Sequence, residues 1–191
     1  MEATSFCLSR LRKQNLLLIL LVVEIRNDLK QIYNSLLKTY CMSKWHLAQI
    51  NIGRILGVDM NDPVMSEFVA LLDEINTLAE NSEGFVWRLK DESDNATALH
   101  PYEDERIIIN MSVWETVEHL EAFTYKGRHV DVLKKRRSWF ESMGKPVTVL
   151  WWVPAGHAPT VEEAKERLKY LQDNGSSAYA FDFKTRVEKP A

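Results

Sequence analysis

The stretch "RIIINMSVWETVEHLEAF", Arg106–Phe123, places a strand directly before a helix. Apolar and polar residues alternate from Ile109 to Val113, and a period of two is typical of a β-strand. After Trp114 the apolar residues recur at helical spacing in "VEHLEAF". The stretch therefore predicts a strand that leads into a helix with almost no loop between them.

Similar patterns on both sides of this stretch predict the other elements. Strands are predicted at "WHLAQINI", "FVWRLK", "VTVLWWV" and "YAFDF", and helices at Pro63–Gly84, "TVEHLEAFTYKG", "RHVDVLKKRRSWFESMG" and "TVEEAKERLKYLQDNG". This order predicts an α+β, ferredoxin-like split βαβ fold, in which an antiparallel sheet carries helices on one face. The last helix and strand are additions to that plan, and the strand either extends the sheet edge or crosses to a partner.

A sheet of this kind leaves its other face bare. The residues that share a face are Trp45, Leu47, Gln49 and Asn51 on the first strand and Ile108, Asn110, Ser112 and Trp114 on the third. Tryptophan mixed with polar groups makes neither a good free surface nor a good dry core. We therefore predict a lined cavity that a second copy of the sheet closes, which makes the protein a homodimer.

The composition changes abruptly at Met42. All 7 Gly, all 6 Pro and all 6 Trp follow it, whereas both Cys precede it. The apolar run from Leu16 to Val23 is too short to span a bilayer, so no stable membrane insertion is expected. Residues 1–41 are interpreted as a helical N-terminal extension that binds a partner or weakly anchors to a membrane, or as an artefact of a start upstream of Met42. Residues 42–191 form the predicted folded domain.

Charge and residue types exclude several functions for residues 42–191. The chain holds 27 Asp+Glu against 24 Lys+Arg, and an acidic body gives no general reason to bind nucleic acid. The basic run Lys134–Arg137 is interpreted as a solvated helix face. The five histidines lack metal-ligand spacing, so no metal site is predicted. The absence of cysteine from the body suits the cytoplasm, where we place the protein.

The turn "PAGHAP" precedes the predicted helix "TVEEAKERLKYLQDNG". Thr160 and Glu163 are predicted to form a capping box, in which each side chain bonds the backbone N–H of the other residue. Pro154, Gly156 and Pro159 are turn residues. His157 is therefore predicted to be structural or solvent-exposed rather than catalytic.

Four segments together resemble a bacterial family known as domain of unknown function 3291, which is placed among the dimeric α/β barrels. They are "MSKWHLAQINIGR", "GFVWRLKDE", "NMSVWETVEHLEAFTYKGRHVDVLKKRRSWFE" and "VLWWVPAGHAPTVEEAKERL". The wider superfamily includes antibiotic-biosynthesis monooxygenases, which work without metal or flavin, and haem-degrading enzymes. The resemblance implies roles for Asn51 and His129, but Phe123 stands where the haem enzymes have a tryptophan, which argues against haem.

Two functional hypotheses follow. In the first, the barrel interior binds a small apolar or aromatic molecule, and the protein is either a binder or a monooxygenase-like enzyme without cofactor. Its catalytic residues would then be His129 and Asn51, and its pocket residues Trp45, Gln49, Trp87, Asn110, Ser112, Trp114 and Trp152. In the second, the protein is a non-catalytic homodimeric stress or interaction module whose interior is filled by its own aromatic side chains.

Overall fold

The fold is taken from a computed structural model, which describes Arg26, Lys30, Gln31 and residues 44–91 and 94–190. The predicted extension over residues 1–41 lies outside the described residues apart from those first three. The chain divides into two units, Met1–Met42 and Ser43–Ala191. Both interpretations of residues 1–41, a helical extension or an artefact of an upstream start, stay predictions.

The second unit alternates strands and helices in the predicted order. Its strands are β1 (Trp45–Arg54), β2 (Phe85–Arg88), β3 (Ile107–Trp114) and β4 (Thr148–Pro154), and its α-helices are α1 (Ser66–Glu80), α2 (Val117–Tyr125), α3 (Arg128–Lys135) and α4 (Val161–Asn174). Short 3₁₀ turns occupy Pro63–Met65 and Arg136–Ser138. The predicted helix from Pro63 therefore begins as a 3₁₀ turn, capped by Asp62, whose side chain accepts from the backbone N–H of Val64 at 3.1 Å.

The four strands form one antiparallel sheet in the order β2-β3-β1-β4. This order, with α1 between β1 and β2 and the α2–α3 pair between β3 and β4, is that of a ferredoxin-like split βαβ fold. The predicted α+β fold class is confirmed. The central strands are β1 and β3, so any residue in the middle of either strand is expected to be covered.

One face of the sheet carries the helices of the split βαβ unit. Leu47, Trp114 and Leu150 pack there against residues of α1 and α2. Further along the same face, Ile108 packs against Met65 and the residues around α3. This is the face on which tryptophan and polar residues mix. It was predicted to be bare, but the helices cover it.

The opposite face is covered as well. Sheet residues such as Ile50, Met111 and Trp151 are at most 1% exposed, and they pack against Leu168 and Leu171 of α4. The expectation of a bare sheet face is wrong because α4 turns its apolar stripe onto β1 and β4. The homodimer predicted on that ground stays a prediction.

The predicted last strand, "YAFDF", is wrong as a strand. It is reduced to a single antiparallel bridge between Phe181 and Leu150 of β4. The two residues exchange backbone hydrogen bonds of 2.8 and 2.9 Å. This segment therefore extends the sheet edge at one point within the same chain.

Candidate functional site

The helix-covered face has an opening above the middle of the sheet. Asn51 and Asn110 are directly opposite each other on the two central strands, and both side chains are exposed. Their neighbours on this face are closed, since Gln49 is 6% exposed, Ser112 7% and Ile108 8%. We call the position of Asn51 and Asn110 the asparagine opening.

Helix α1 belongs to the same layer and is incompletely buried. Ala79 is its one buried residue, although the sequence predicts an apolar stripe along the whole helix. Phe68, Leu71 and Ile75 are half-buried, and Leu78 is 36% exposed. An apolar surface therefore lies incompletely covered in the layer that contains the asparagine opening.

Two ion pairs join α1 to α3 on the outside of this layer. Glu74 accepts from Arg128 at 2.6 Å, and Glu67 pairs with Lys135. A surface depression of about 350 Å³ lies beside the first pair and is lined by Glu74, Thr77, Leu78, Asn81 and Arg128. Its charged groups satisfy each other, so it is a weaker candidate for a ligand than the asparagine opening.

A chain of hydrogen bonds reaches the opening from the buried side. Trp114 Nε1 donates to Ser112 Oγ at 2.9 Å. Gln49 Nε2 donates to the same Ser112 Oγ at 2.9 Å and to Asn110 Oδ1 at 3.0 Å. We call Trp114, Ser112, Gln49 and Asn110 the amide relay.

The relay leaves polar groups unpaired at the opening. The Asn110 carbonyl oxygen is used by Gln49, so its amide N–H groups point elsewhere. Neither those N–H groups nor the Asn51 side chain makes a hydrogen bond to any residue in 44–91 or 94–190. Thr148 of β4, half-buried, lies opposite Asn51 on its other side. Amide donors free to bind a ligand are thus available on the sheet.

Aromatic rings connect the relay to His129. Phe123 stacks on Trp114 with ring centroids 5.2 Å apart, and the His129 ring lies 4.5 Å from that of Phe123. His129 Nδ1 donates to the Thr124 carbonyl oxygen at 3.1 Å, because a carbonyl can only accept. Nε2 then carries the free lone pair. Burial lowers the pKa of His129 below its ordinary 6.5, which favours the neutral ring.

Of the predicted site residues, the structure brings together Gln49, Asn51, Asn110, Ser112 and Trp114, and links His129 to them through Phe123. It does not bring Trp87 to this face. A β-bulge between Phe85 and Trp87 shifts the register of β2. Phe85 therefore packs beside Trp114, whereas Trp87 packs on the α4 face.

The other two predicted tryptophans lie away from the opening. Trp152 is on the same face, but its indole N–H donates to the Val187 carbonyl at 2.9 Å and its ring packs on Phe181. Trp45 is half-buried at the start of β1, opposite Pro154. Both tryptophans flank the end of the sheet rather than its middle.

Sequence reasoning missed two residues near the site. Phe123 was noted only as the replacement for a tryptophan, and the signal for its contact with Trp114 was its place on the apolar side of α2. Thr148 gave no signal, because its position beside Asn51 depends on the β1–β4 register.

His157 has the structural role predicted for it. Its Nε2 lies 2.8 Å from Glu163 Oε2, and Trp151 Nε1 donates to Glu163 Oε1 at 2.8 Å. Thr160 caps α4 by accepting from the Glu163 N–H at 3.1 Å. The predicted capping box is thus half formed, because the Glu163 side chain binds Trp151 and His157 instead.

The described residues form neither a metal site nor a membrane-spanning helix. No three His, Cys, Asp or Glu side chains in that part of the chain come together in a way that could hold a metal ion. Each helix there is too short or too polar to cross a bilayer.

Comparison with known sequences decides the family. The family model of DUF3291, a domain of unknown function, matches residues 46–191. The chain belongs to the DUF3291 family. This DUF3291 match includes the asparagine opening, the amide relay and His129. No curated protein matches the chain.

Solved structures give weaker likenesses to this DUF3291 protein. Rv0793 from Mycobacterium tuberculosis is 11% identical with a TM-score of 0.41, and covers 60% of this chain and 99% of its own. PA3566 from Pseudomonas aeruginosa is 9% identical with a TM-score of 0.40, covering 61% and 98%. A protein from Chloroflexus aurantiacus J-10-fl, named as a candidate antibiotic biosynthesis monooxygenase, is 14% identical with a TM-score of 0.35, covering 61% and 98%. Likenesses of this size carry no functional argument.

Proposed function

We propose that this DUF3291 protein binds one small, largely apolar or aromatic molecule at the asparagine opening, between the sheet and its helices. The observation that carries the proposal is the exposure of Asn51 and Asn110 on two central strands. A central strand pair is ordinarily covered, whereas these two amides are exposed between the buried neighbours Gln49, Ser112 and Ile108. The ligand site thus lies within one chain rather than in a barrel interior made by two copies.

The half-buried stripe of α1 supports an apolar ligand. Burying apolar surface stabilises a complex by about 25 cal/mol per Å², and Phe68, Leu71 and Ile75 still have such surface to bury. Polar ligands would gain little from these side chains. The amides of Asn51 and Asn110 would instead fix the orientation of a single polar atom on the ligand.

As the chemistry at this site we propose oxygenation without a cofactor, which requires a substrate that extends from the asparagines to His129, beyond the Phe123 ring. Neutral His129 would take a proton from an activated CH₂ group of the substrate at Nε2, and an asparagine N–H would stabilise the enolate oxygen that forms. Molecular oxygen is the oxidant: one atom becomes the new carbonyl, and the other leaves as water with the two hydrogens of the CH₂ group. Phe123, a hydrocarbon ring between Trp114 and His129, gives no support for haem chemistry.

Native mass spectrometry of the full chain, purified without added cofactor, tests the binding proposal. We expect an extra small mass on the protein, or binding of the apolar probe indane when it is added. The paired substitution Asn51→Ala and His129→Ala should remove the bound mass. The matched pair Asn61→Ala and His100→Ala, both exposed in loops, should retain it. A protein that carries no mass and binds no indane contradicts the proposal.

The alternative is a non-catalytic homodimeric module. It was predicted from a bare sheet face, whereas both faces of the sheet pack against helices of the same chain. No contact among the described residues favours it over ligand binding. Under this alternative no ligand binds at the opening. The pair at Asn51 and His129 and the control pair at Asn61 and His100 would then leave the measured mass equally unchanged.

A further inference from the structure

The amide relay has a direction. An indole nitrogen can only donate, so Trp114 makes Ser112 Oγ an acceptor. Gln49 Nε2 has two N–H groups, and both are used, one to Ser112 Oγ and one to Asn110 Oδ1. Turning the Gln49 amide over would lose both of these N–H bonds, so in the structure the relay runs from Gln49 toward Ser112 and Asn110.

This direction determines what the opening presents to a ligand. Asn110 Oδ1 accepts from Gln49, so the Asn110 oxygen faces the buried side and its NH₂ group faces the opening. An asparagine that is free to rotate offers either a donor or an acceptor. In this orientation Asn110 presents its N–H donors to the opening, because its oxygen is turned toward Gln49.

We propose that Gln49 is a specificity-determining residue, which makes the asparagine opening select planar apolar molecules that carry a hydrogen-bond acceptor, such as a carbonyl oxygen, over molecules that carry only a donor. This inference rests on the proposed binding at the opening and adds the polarity of the ligand. A carbonyl oxygen meets the Asn110 N–H groups as an acceptor. A donor-only ligand finds no acceptor at Asn110, so only the Asn51 side chain in the opening can accept from it. A site built to bond one polarity discriminates strongly against the other, because its own groups are then left unpaired.

The test compares three bicyclic probes of similar size: 1-indanone, which only accepts; indole, whose N–H only donates; and indane, which does neither. Binding to the full chain is measured by calorimetry. We expect 1-indanone to bind about tenfold more tightly than indole, with indane between them. Binding of 1-indanone should also shift the Asn110 side-chain amide signal in a ¹⁵N NMR spectrum.

Two substitutions at Gln49 make the inference specific. Gln49→Glu replaces the donor by an acceptor, which bonds the Asn110 NH₂ group and turns the Asn110 oxygen toward the opening. The preference should then reverse in favour of indole. Gln49→Met removes the bond and frees Asn110 to rotate, so the preference should fall to about twofold or less. The matched control Gln172→Glu on α4, where Gln172 bonds the Pro146 carbonyl, should keep the wild-type preference.

The outcomes separate the two proposals. If all three probes bind wild-type protein equally, or if indole binds best, the polarity inference is wrong and the binding function stands. If none of the three binds, the binding function fails. Circular dichroism shows whether Gln49→Met folds. If it does not, Gln49→Glu alone tests the polarity inference. An unchanged preference for 1-indanone over indole in Gln49→Glu overturns that inference.

Discussion

At the scale of single residues, Gly84 has the least room for a side chain among the glycines. It lies between α1 and β2 with φ +72°, the left-handed region that favours glycine. A Cβ atom added there would lie 1.9 Å from Nδ1 of His119. The sequence identified Gly84 only as the end of a helix, whereas the structure adds close packing against α2.

We expect Gly84→Ala to lower the free energy of unfolding by about 3 kcal/mol, measured by urea denaturation, because strain and a clash combine. Gly127→Ala is the matched control. Gly127 also has positive φ, +65°, but nothing lies within 4 Å of an added Cβ. Gly127→Ala should therefore lower the free energy of unfolding by only about 1 kcal/mol, the cost of backbone strain alone. Equal losses at the two positions would contradict the packing against His119, and His119→Ala should recover part of the Gly84→Ala loss.

His129 should make stability depend on pH in a defined direction. Burial lowers its pKa in the folded chain below the 6.5 of an unfolded histidine. Above 6.5 both states are neutral and His129 has no effect on the pH dependence. As pH falls through 6.5 toward the folded pKa, the unfolded chain takes up the proton first, and stability is lost.

The expected result is a smaller loss in His129→Phe than in wild type when unfolding free energies at about pH 7.5 and about pH 5.5 are compared. Phenylalanine keeps the packing against Phe123 and has no proton to bind. An identical loss in both proteins would mean that His129 is not buried in solution.

At the scale of elements, α4 makes the largest difference between the predicted and the observed fold, because it covers the second face of the sheet. Its stripe of Ala164, Leu168 and Leu171 is buried against the sheet. The sequence predicted the helix and its start at Thr160, because capping and periodicity are local signals. It did not predict which face the helix covers, because an amphipathic stripe is the same whichever sheet face it meets.

Leu168→Ala should lower the free energy of unfolding by about 2 to 4 kcal/mol, because it leaves a cavity in a closely packed layer. Leu168 is 2% exposed. Its neighbour on the same helix, Lys169, has a side chain that is 75% exposed, and Lys169→Ala should change stability by no more than about 0.5 kcal/mol. Chemical denaturation of both variants measures the difference, and similar small effects would mean that α4 is only loosely attached.

The candidate site was predictable only in part, because its strand alternation is a local signal whereas its surroundings depend on tertiary packing. Alternation along β1 and β3 put Gln49, Asn51, Asn110 and Ser112 on one face, since strand periodicity is local. The placement of Trp87 with them was not supported, because the bulge in β2 breaks that alternation. Which side of the sheet the helices take, and hence whether the polar face is a cleft or a dimer surface, depends on tertiary packing.

At the scale of the whole molecule, burial within one chain predicts independence from a partner. Both faces of the sheet have their apolar residues covered by helices of the same chain. We therefore expect a thermal unfolding midpoint that does not change with protein concentration, measured by calorimetry over a hundredfold range. An obligate dimer gains stability by mass action, so a midpoint that rises with concentration would support the predicted homodimer.

The bridge between Phe181 and Leu150 covers part of an exposed sheet edge. β4 lies at the sheet edge and comes from "VTVLWWV", a run without charge or proline. Such an edge readily recruits strands from other molecules. Phe181 occupies the backbone groups of Leu150 at the centre of that edge. We therefore expect that proteolysis just before Phe181 would free the backbone groups of Leu150 and make this edge able to pair with strands of other molecules.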